Sequence, residues 1–344
     1  MAALSDQRIA KQRILFGSRA EAFAKLALAG PLLVLGSKRS LAELDGIALG
    51  DGEAHRFAGV TVHNPQRVVD AARAEAARIL PASIVAIGSS SAIDLGKAVA
   101  FGRTATLVSV PTALGGAEMT RGFGVLQPDG EKAGNALGAP SDVVIYDPAL
   151  LASLGARELG SIGINAFAHT IEAAYARYAQ PLGVAGAVRA GRMLAAALPR
   201  AALERSAEND RELFEGAYLA GFALNACGMG FHHAACHVLG GLSGVPHGIV
   251  NAVVLPHAVR ANVRVAPAAV AAVADAFCIA DLAAHADAIA RSFGLPATLA
   301  ELGVDAGIVT QAPPLIAAAH QMKNNPAPVG PDLIELVVRL AYGG

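Results

Sequence analysis

The sequence predicts an N-terminal α/β domain followed by an all-α domain, on three observations. Between residues 13 and 148, short apolar runs alternate with segments of helical period. From residue 151 to 344 nearly every segment is helical in period, with Gly and Pro between segments. The texture changes at Asp147–Ala152, which divides the chain into 1–150 and 151–344. Continuous apolar strands separated by helices are the pattern of a parallel sheet covered on both faces.

In order, R-I-L-F-G (13–17) and P-L-L-V-L-G (31–36) are unbroken apolar runs and read as buried strands. A-E-A-F-A-K-L-A-L between them reads as a helix. A strand is expected at 58–62, then an alanine- and arginine-rich helix over Gln66–Leu80. S-I-V-A-I-G (83–88) is a strand, Ala92–Phe101 a helix, and T-L-V-S-V-P (106–111) a strand. V-V-I-Y-D-P (143–148) closes the first domain. The second is expected to hold helices at 160–177, 182–199, 207–227, 230–240, 248–262, 267–293, 297–302, 313–322 and 331–342.

Bulk properties narrow the function. Hydrophobic residues make up 54% of the chain and charged residues 16%, enough apolar material for two cores and a subunit interface. The net charge of −1 with no basic cluster argues against a nucleic-acid partner. Cys227, Cys236 and Cys278 are odd in number and lack framework spacing, which suits a reducing cytoplasm. Cys236 beside His237 reads as a buried small hydrophobe, since the two point to different helix faces. The N-terminal charges are followed by no apolar run, so no signal peptide is expected. No uncharged apolar stretch reaches the ~18 residues a membrane span needs.

Two loops in the first domain carry small residues at strand ends. After the strand ending at Gly88 comes G-S-S-S-A-I-D-L-G-K (88–97), where the backbone can approach a ligand and the helix N-terminus favours an anion. Ser91 and Asp94 also have the spacing of an N-cap with an acidic third residue, so a well-capped helix is the plainer reading. P-T-A-L-G-G-A-E (111–118) is a second such loop, and open α/β sheets bind ligands at these carboxyl ends. Gly36-Ser37-Lys38-Arg39 ends the 31–36 strand with a hydroxyl and two cations in place of an acid. That run can accept a 2′-phosphate, so NADPH and NADH are both expected to serve; an exposed basic turn is the alternative.

The histidines concentrate in M-G-F-H-H-A-A-C-H-V-L-G-G-L-S-G-V-P-H (229–247), which holds four of the ten. His233 and His237 are four apart and share a helix face. Gly240, Gly241, Gly244 and Pro246 are expected to end that helix and return His247 to the same place. Asn165 and His169 in I-N-A-F-A-H-T-I-E-A repeat the i, i+4 spacing. Two oily helices that each offer a polar pair point to a site between helices, set against core histidines satisfied by backbone carbonyls.

Together these segments resemble the iron-containing (group III) alcohol dehydrogenase family, and within it most closely the maleylacetate reductases. G-M-G-F-H-H-A-A-C-H-V-L-G-G…V-P-H and P-T-A-L-G-G-A-E-M-T carry it most specifically, with N-A-F-A-H-T-I-E-A and V-I-Y-D-P in support. The shortened threonine loop is the reductase form. The resemblance implies a Rossmann-like domain plus a helical domain, as in the dehydroquinate synthase-like architecture, and a cytoplasmic homodimer. It implies a pyrophosphate site at Gly88, Ser89, Ser90 and Ser91 with Asp94 nearby. Ser37, Thr112, Leu114 and Lys132 complete the cofactor side. Metal-dependent members use an aspartate and three histidines, which fall here on Asn165, His169, His233 and His247; His237 matches a histidine lining the substrate site. Asn165 is a weaker, neutral ligand, so Fe²⁺ or Zn²⁺ is not expected to be required.

The implied activity is NAD(P)H-dependent reduction of maleylacetate to 3-oxoadipate in aromatic degradation, with hydride transfer in the interdomain cleft. His237, His169, His233 and His247 would hold the small carbonyl and carboxylate substrate and supply a proton. Gly248 departs from the reductases' Ala-Glu and follows the broader family, as does A-I-D at 92–94. The alternatives are a metal-dependent alcohol dehydrogenase or aldehyde reductase, an NAD-retaining lyase-type relative, and a non-catalytic homologue.

Overall fold

The computed structural model describes residues 5–9, 11–126, 132–135, 138 and 140–344, with side chains for all but 5–9 and 132–135. The chain divides into two compact units, Met1–Leu154 and Gly155–Gly344.

The strands of the first unit are β1 (Ser5–Ile9), β2 (Gln12–Phe16), β3 (Leu28–Ala29), β4 (Leu32–Leu35), β5 (Gly50–Asp51), β6 (Ala54–Phe57), β7 (Ser83–Gly88), β8 (Thr106–Pro111), β9 (Phe123–Leu126), β10 (Lys132–Asn135) and β11 (Val143–Tyr146). Seven of them form one sheet in the order β1-β2-β11-β8-β7-β4-β6. Its pairs are parallel except β1, which runs antiparallel to β2 at the edge. The helices are α1 (Arg19–Leu26), α2 (Lys38–Ala42), α3 (Gln66–Ile79) and α4 (Ser90–Ala100).

Both faces of the sheet are apolar, which is why its central strands read as unbroken hydrophobic runs. Leu32, Val34, Val85 and Ile87 pack with Phe23 of α1 and Leu41 of α2. The alternate residues Leu33, Leu35, Ile84 and Ala86 pack with Val69 and Ala72 of α3 and Leu95 and Val99 of α4. The chain thus leaves β4 towards one face and β7, its neighbour, towards the other. Adjacent parallel strands whose connections diverge in this way open a crevice at their carboxyl ends, the usual ligand site of such sheets.

The strand expected at 58–62 lies earlier, at Ala54–Phe57. Partner length decides this. β4 has four residues, paired from Leu32↔Ala54 to Leu35↔Phe57, so residues 58–62 meet no strand. Thr61 instead starts a turn whose carbonyl accepts the Asn64 amide at 3.2 Å, with His63 and Asn64 at positive φ.

The second unit is helical: α5 (Ala156–Tyr175), α6 (Pro181–Leu203), α7 (Ala207–Cys227), α8 (Phe231–Ser243), α9 (His247–Val265), α10 (Pro267–Phe277), α11 (Leu282–Ser292), α12 (Ile308–Ala318) and α13 (Pro331–Tyr342). The single helix expected over 267–293 is two. Cys278 turns left-handed at φ +59°, and Asp281 then caps α11 by accepting the Ala283 and Ala284 amides. The helix expected over 313–322 spans 308–318, followed by a separate 3₁₀ turn, His320–Asn324. Gly240 and Gly241 stay inside α8, and Gly244 at φ +69° ends it. Pro246 then caps α9, whose first residue is His247. α5 is enclosed by α6, α7 and α9. Its glycines permit the approach: a Cβ on Gly163 would fall 2.3 Å from Leu198, and one on Gly160 2.3 Å from Phe293. Among the described residues, no single helix is long and apolar enough to cross a membrane.

Candidate functional site

In the first unit, three loops meet at the carboxyl ends of β4, β7 and β8. Gly88 has φ +144°, and a Cβ there would lie 2.9 Å from the Ala92 Cβ and 3.3 Å from the Ser40 Oγ of α2. A Cβ on Gly115 would lie 2.2 Å from the Ser90 Oγ, and the Thr112 amide donates to the Gly88 carbonyl at 3.0 Å. Small residues are needed here because the loops touch one another. α4 begins at Ser90 with Ser89 at its N-cap, and Ser89 makes no side-chain cap bond. The expected Ser91 cap is therefore corrected: Ser91 lies within the helix, and its Oγ accepts the His63 amide at 3.3 Å. A first turn without a side-chain cap suits an anion.

Other cofactor-side residues have partners of their own. Asp94 accepts the Gly124 amide at 3.3 Å and pairs with the buried Lys97 at 3.2 Å. Lys97 Nζ also donates to the carbonyls of Ala117 (2.8 Å) and Gly122, and so ties the threonine loop to α4. Ser37 caps α2 by accepting the Ser40 amide at 3.1 Å. Arg39 donates to the Ser153 carbonyl at 2.7 Å, while Lys38 is exposed. Leu114 is buried. Lys132 lies in β10, and its side chain is outside the described residues.

In the second unit, α5, α8 and α9 bring the imidazoles together. His169 and His233 stack, ring centroids 4.7 Å apart. His247 lies 6.1 Å from His233 and 5.4 Å from His237, and His237 lies 6.2 Å from His233. His169 and His233 are buried, whereas His237 and His247 are exposed. Glu172 anchors the buried part. Its carboxyl contacts His233 Nδ1 at 2.6 Å and accepts the Gly230 and His232 amides at 3.0 and 2.8 Å. His233 Nε2 lies 3.3 Å from Asn165 Oδ1. Burial, then the neighbouring imidazoles, hold His169 and His233 well below the ordinary histidine range, and burial also lowers His232. Burial raises Glu172. Burial thus disfavours charge on these imidazoles and on the Glu172 carboxyl alike.

Family models confirm where these two halves belong. The iron-containing alcohol dehydrogenase model matches residues 12–148, and the C-terminal model of the same family matches 161–342.

The chain belongs to the iron-containing alcohol dehydrogenase family.

It is accordingly an NAD(P)-dependent oxidoreductase. A maleylacetate reductase of Burkholderia cepacia is 34% identical to it over 318 residues, covering 91% of this chain and 89% of that one. The crystal structure of a maleylacetate reductase from Rhizobium sp. strain MTP-10005 has a TM-score of 0.85 at 29% identity, each chain covered to 99%. An iron-containing alcohol dehydrogenase from Corynebacterium glutamicum has a TM-score of 0.89 at 28% identity, with 100% of this chain and 98% of that one covered.

The family's name raises a metal, and the donor atoms test it. Among the described residues, the only group of three His, Cys, Asp or Glu ligand atoms within 4.8 Å of one another is Glu172, His232 and His233. That carboxyl already takes two backbone amides and the His233 ring. His169, His233 and His247 do not gather to the ~3–4 Å ligand spacing that first-row metal–nitrogen bonds impose. Asn165 brings no charge, and both nitrogens of His233 are engaged. The set of Asn165, His169, His233 and His247 thus lacks the spacing and the charge that a divalent ion favours.

Asn165, His169 and His233 thus share one buried cluster, with His237 and His247 beside it. Sequence reasoning missed Glu172, His232 and Gln321, whose Nε2 donates to His237 Nδ1 at 2.9 Å. The signal for Glu172 was present: with Asn165 and His169 it completes an i, i+4, i+7 stripe on α5. Nothing in the sequence pointed to Gln321, which lies 84 residues from its partner.

Proposed function

We propose that this chain reduces maleylacetate to 3-oxoadipate at the expense of NADH or NADPH. Bound NAD(P)H would supply hydride from its nicotinamide C4 to one carbon of the C=C bond conjugated to the substrate carbonyl, with a proton adding to the other carbon and NAD(P)⁺ as the oxidised product. The observation that carries this reading is an imidazole cluster organised around neutral Asn165, with two buried uncharged histidines and two exposed ones. Such a set offers N–H donors to an anionic substrate and its developing enolate without asking for a cation. Full-length likeness to maleylacetate reductases points the same way.

In this reading the uncapped turn Ser89–Ser91 takes the pyrophosphate, Gly88 lets it approach, and the Thr112–Leu114 backbone and Lys132 adjoin it. Asp94 acts through Lys97 by holding the threonine loop. Lys38 is the cation available to a 2′-phosphate, so both cofactors serve. His237 hydrogen-bonds the developing enolate oxygen through its ring N–H, the proton that completes the reduction comes from water, and His169, His233 and His247 orient the substrate. No step runs through a metal. A cytoplasmic homodimer is part of the same proposal.

The test is an NADH- and NADPH-oxidation screen over maleylacetate, its chlorinated analogues and simple aldehydes. Maleylacetate should be the fastest of these. Preference for an aldehyde by an order of magnitude in kcat/KM would instead assign an aldehyde reductase.

A further inference from the structure

We infer that Gln321 is a positioning residue that fixes the tautomer of His237; the inference rests on the reductase reading only for its effect on turnover. Gln321 Nε2 donates to His237 Nδ1 at 2.9 Å. A ring nitrogen that accepts an N–H carries a lone pair, so the neutral ring must hold its hydrogen on Nε2. His237 therefore offers a donor, not an acceptor, from the edge opposite Gln321. That is the form a ring needs to contact a carboxylate or a developing enolate oxygen.

Gln321 is itself held. It is buried, in the 3₁₀ turn His320–Asn324. Asn324 Nδ2 donates to the carbonyls of Cys227 (2.8 Å) and Met229 (3.2 Å), just ahead of α8. The Phe231 amide, at the start of α8, donates to Asn325 Oδ1 at 3.3 Å. Three side-chain amides within five residues thus fasten one turn to the helix that carries His233 and His237. Gln321 reaches His237 from a fixed platform.

The tautomer is read directly from the nitrogen chemical shifts of ¹⁵N-histidine-labelled protein, with the His237 signal identified by its loss in His237→Asn. The wild type should show Nε2–H. Gln321→Glu keeps the side chain's size but removes its N–H, and should invert the ring to Nδ1–H. Gln321→Met should leave both tautomers populated and lower kcat for maleylacetate about ten-fold, with cofactor KM changed less than about two-fold. An Nδ1–H ring in the wild type, an uninverted ring in Gln321→Glu, or wild-type kcat in Gln321→Met would overturn the assignment. A wild type without maleylacetate turnover, whose ring still inverts in Gln321→Glu, would refute the reductase reading and support Gln321.

Discussion

Asn165 decides more than any other side chain in this molecule. Its amide meets His233 across 3.3 Å, while Glu172 holds the other edge of the same ring. A carboxylate at 165 would instead set a second buried acid beside Glu172, to be balanced by a cation or a charged imidazole. The neutral amide removes that demand, and in the proposed mechanism the exposed His237 supplies the N–H that meets the developing enolate. His237→Ala should lower kcat for maleylacetate by about 10²–10⁴, while the cofactor Kd, read by fluorescence titration, stays close to wild type. Equal losses in both would remove His237 from the chemistry. At this scale the sequence was most legible where spacing expressed geometry: His233 and His237, and Asn165 and His169, each one helical turn apart. It was blind to Gln321, because a contact across 84 residues leaves no local pattern. Ser91 misled in the opposite way: a serine followed three residues later by an aspartate copies a capping box. The helix starts two residues earlier than that cap would place it, and Asp94 is drawn to Lys97 instead.

Elements bring these residues together through close approach. α9 begins at His247, and Gly248 is pressed on α5: a Cβ there would lie 2.8 Å from the Ser161 carbonyl oxygen. The glycine that departs from the reductases' pattern thus has a packing reason in this chain. Gly248→Ala should push the start of α9 off α5, at a cost of about 1–3 kcal/mol in stability. It should also reduce turnover more than a comparable Gly303→Ala, whose Cβ would meet nothing within 4 Å but whose φ of +72° carries its own strain. Urea midpoints and kcat measured together check this, and full activity in Gly248→Ala would show that the α9 start need not sit so near. The parallel sheet was legible because burial on both faces writes unbroken apolar runs. The strand at 54–57 was not, since A-H-R-F carries no such run and is fixed only by pairing with β4. The break at Cys278 was likewise hidden in an alanine-rich stretch that supports helix on either side.

For the whole molecule, burying neutral histidines sets the response to acid. Burial lowers His169, His232, His233 and His257 in the folded state. Above about pH 6.5 these rings are neutral both folded and unfolded, and their contribution is level. Below it the unfolded chain takes up protons that the native state refuses, so stability falls as pH falls. Burial raises Glu118, Glu172 and Asp210, which act in the opposite sense from their raised native values downward, while His169 and His233 are held well below the ordinary histidine range and set the direction. Urea unfolding should therefore show a lower midpoint at about pH 5.5 than at about pH 7.5; a higher midpoint in acid would contradict it. The division into a strand-and-helix half and a helical half was readable from texture alone, because hydrophobic period changes where the architecture does. The central claim is that reduction here is carried by imidazoles and an amide without a metal. The measurement that tests it most directly is maleylacetate-dependent NADH oxidation before and after exhaustive chelation, with metal content determined on the same sample. Undiminished turnover in metal-depleted protein is expected. Loss of turnover on chelation, with recovery on adding Fe²⁺ or Zn²⁺, would contradict it.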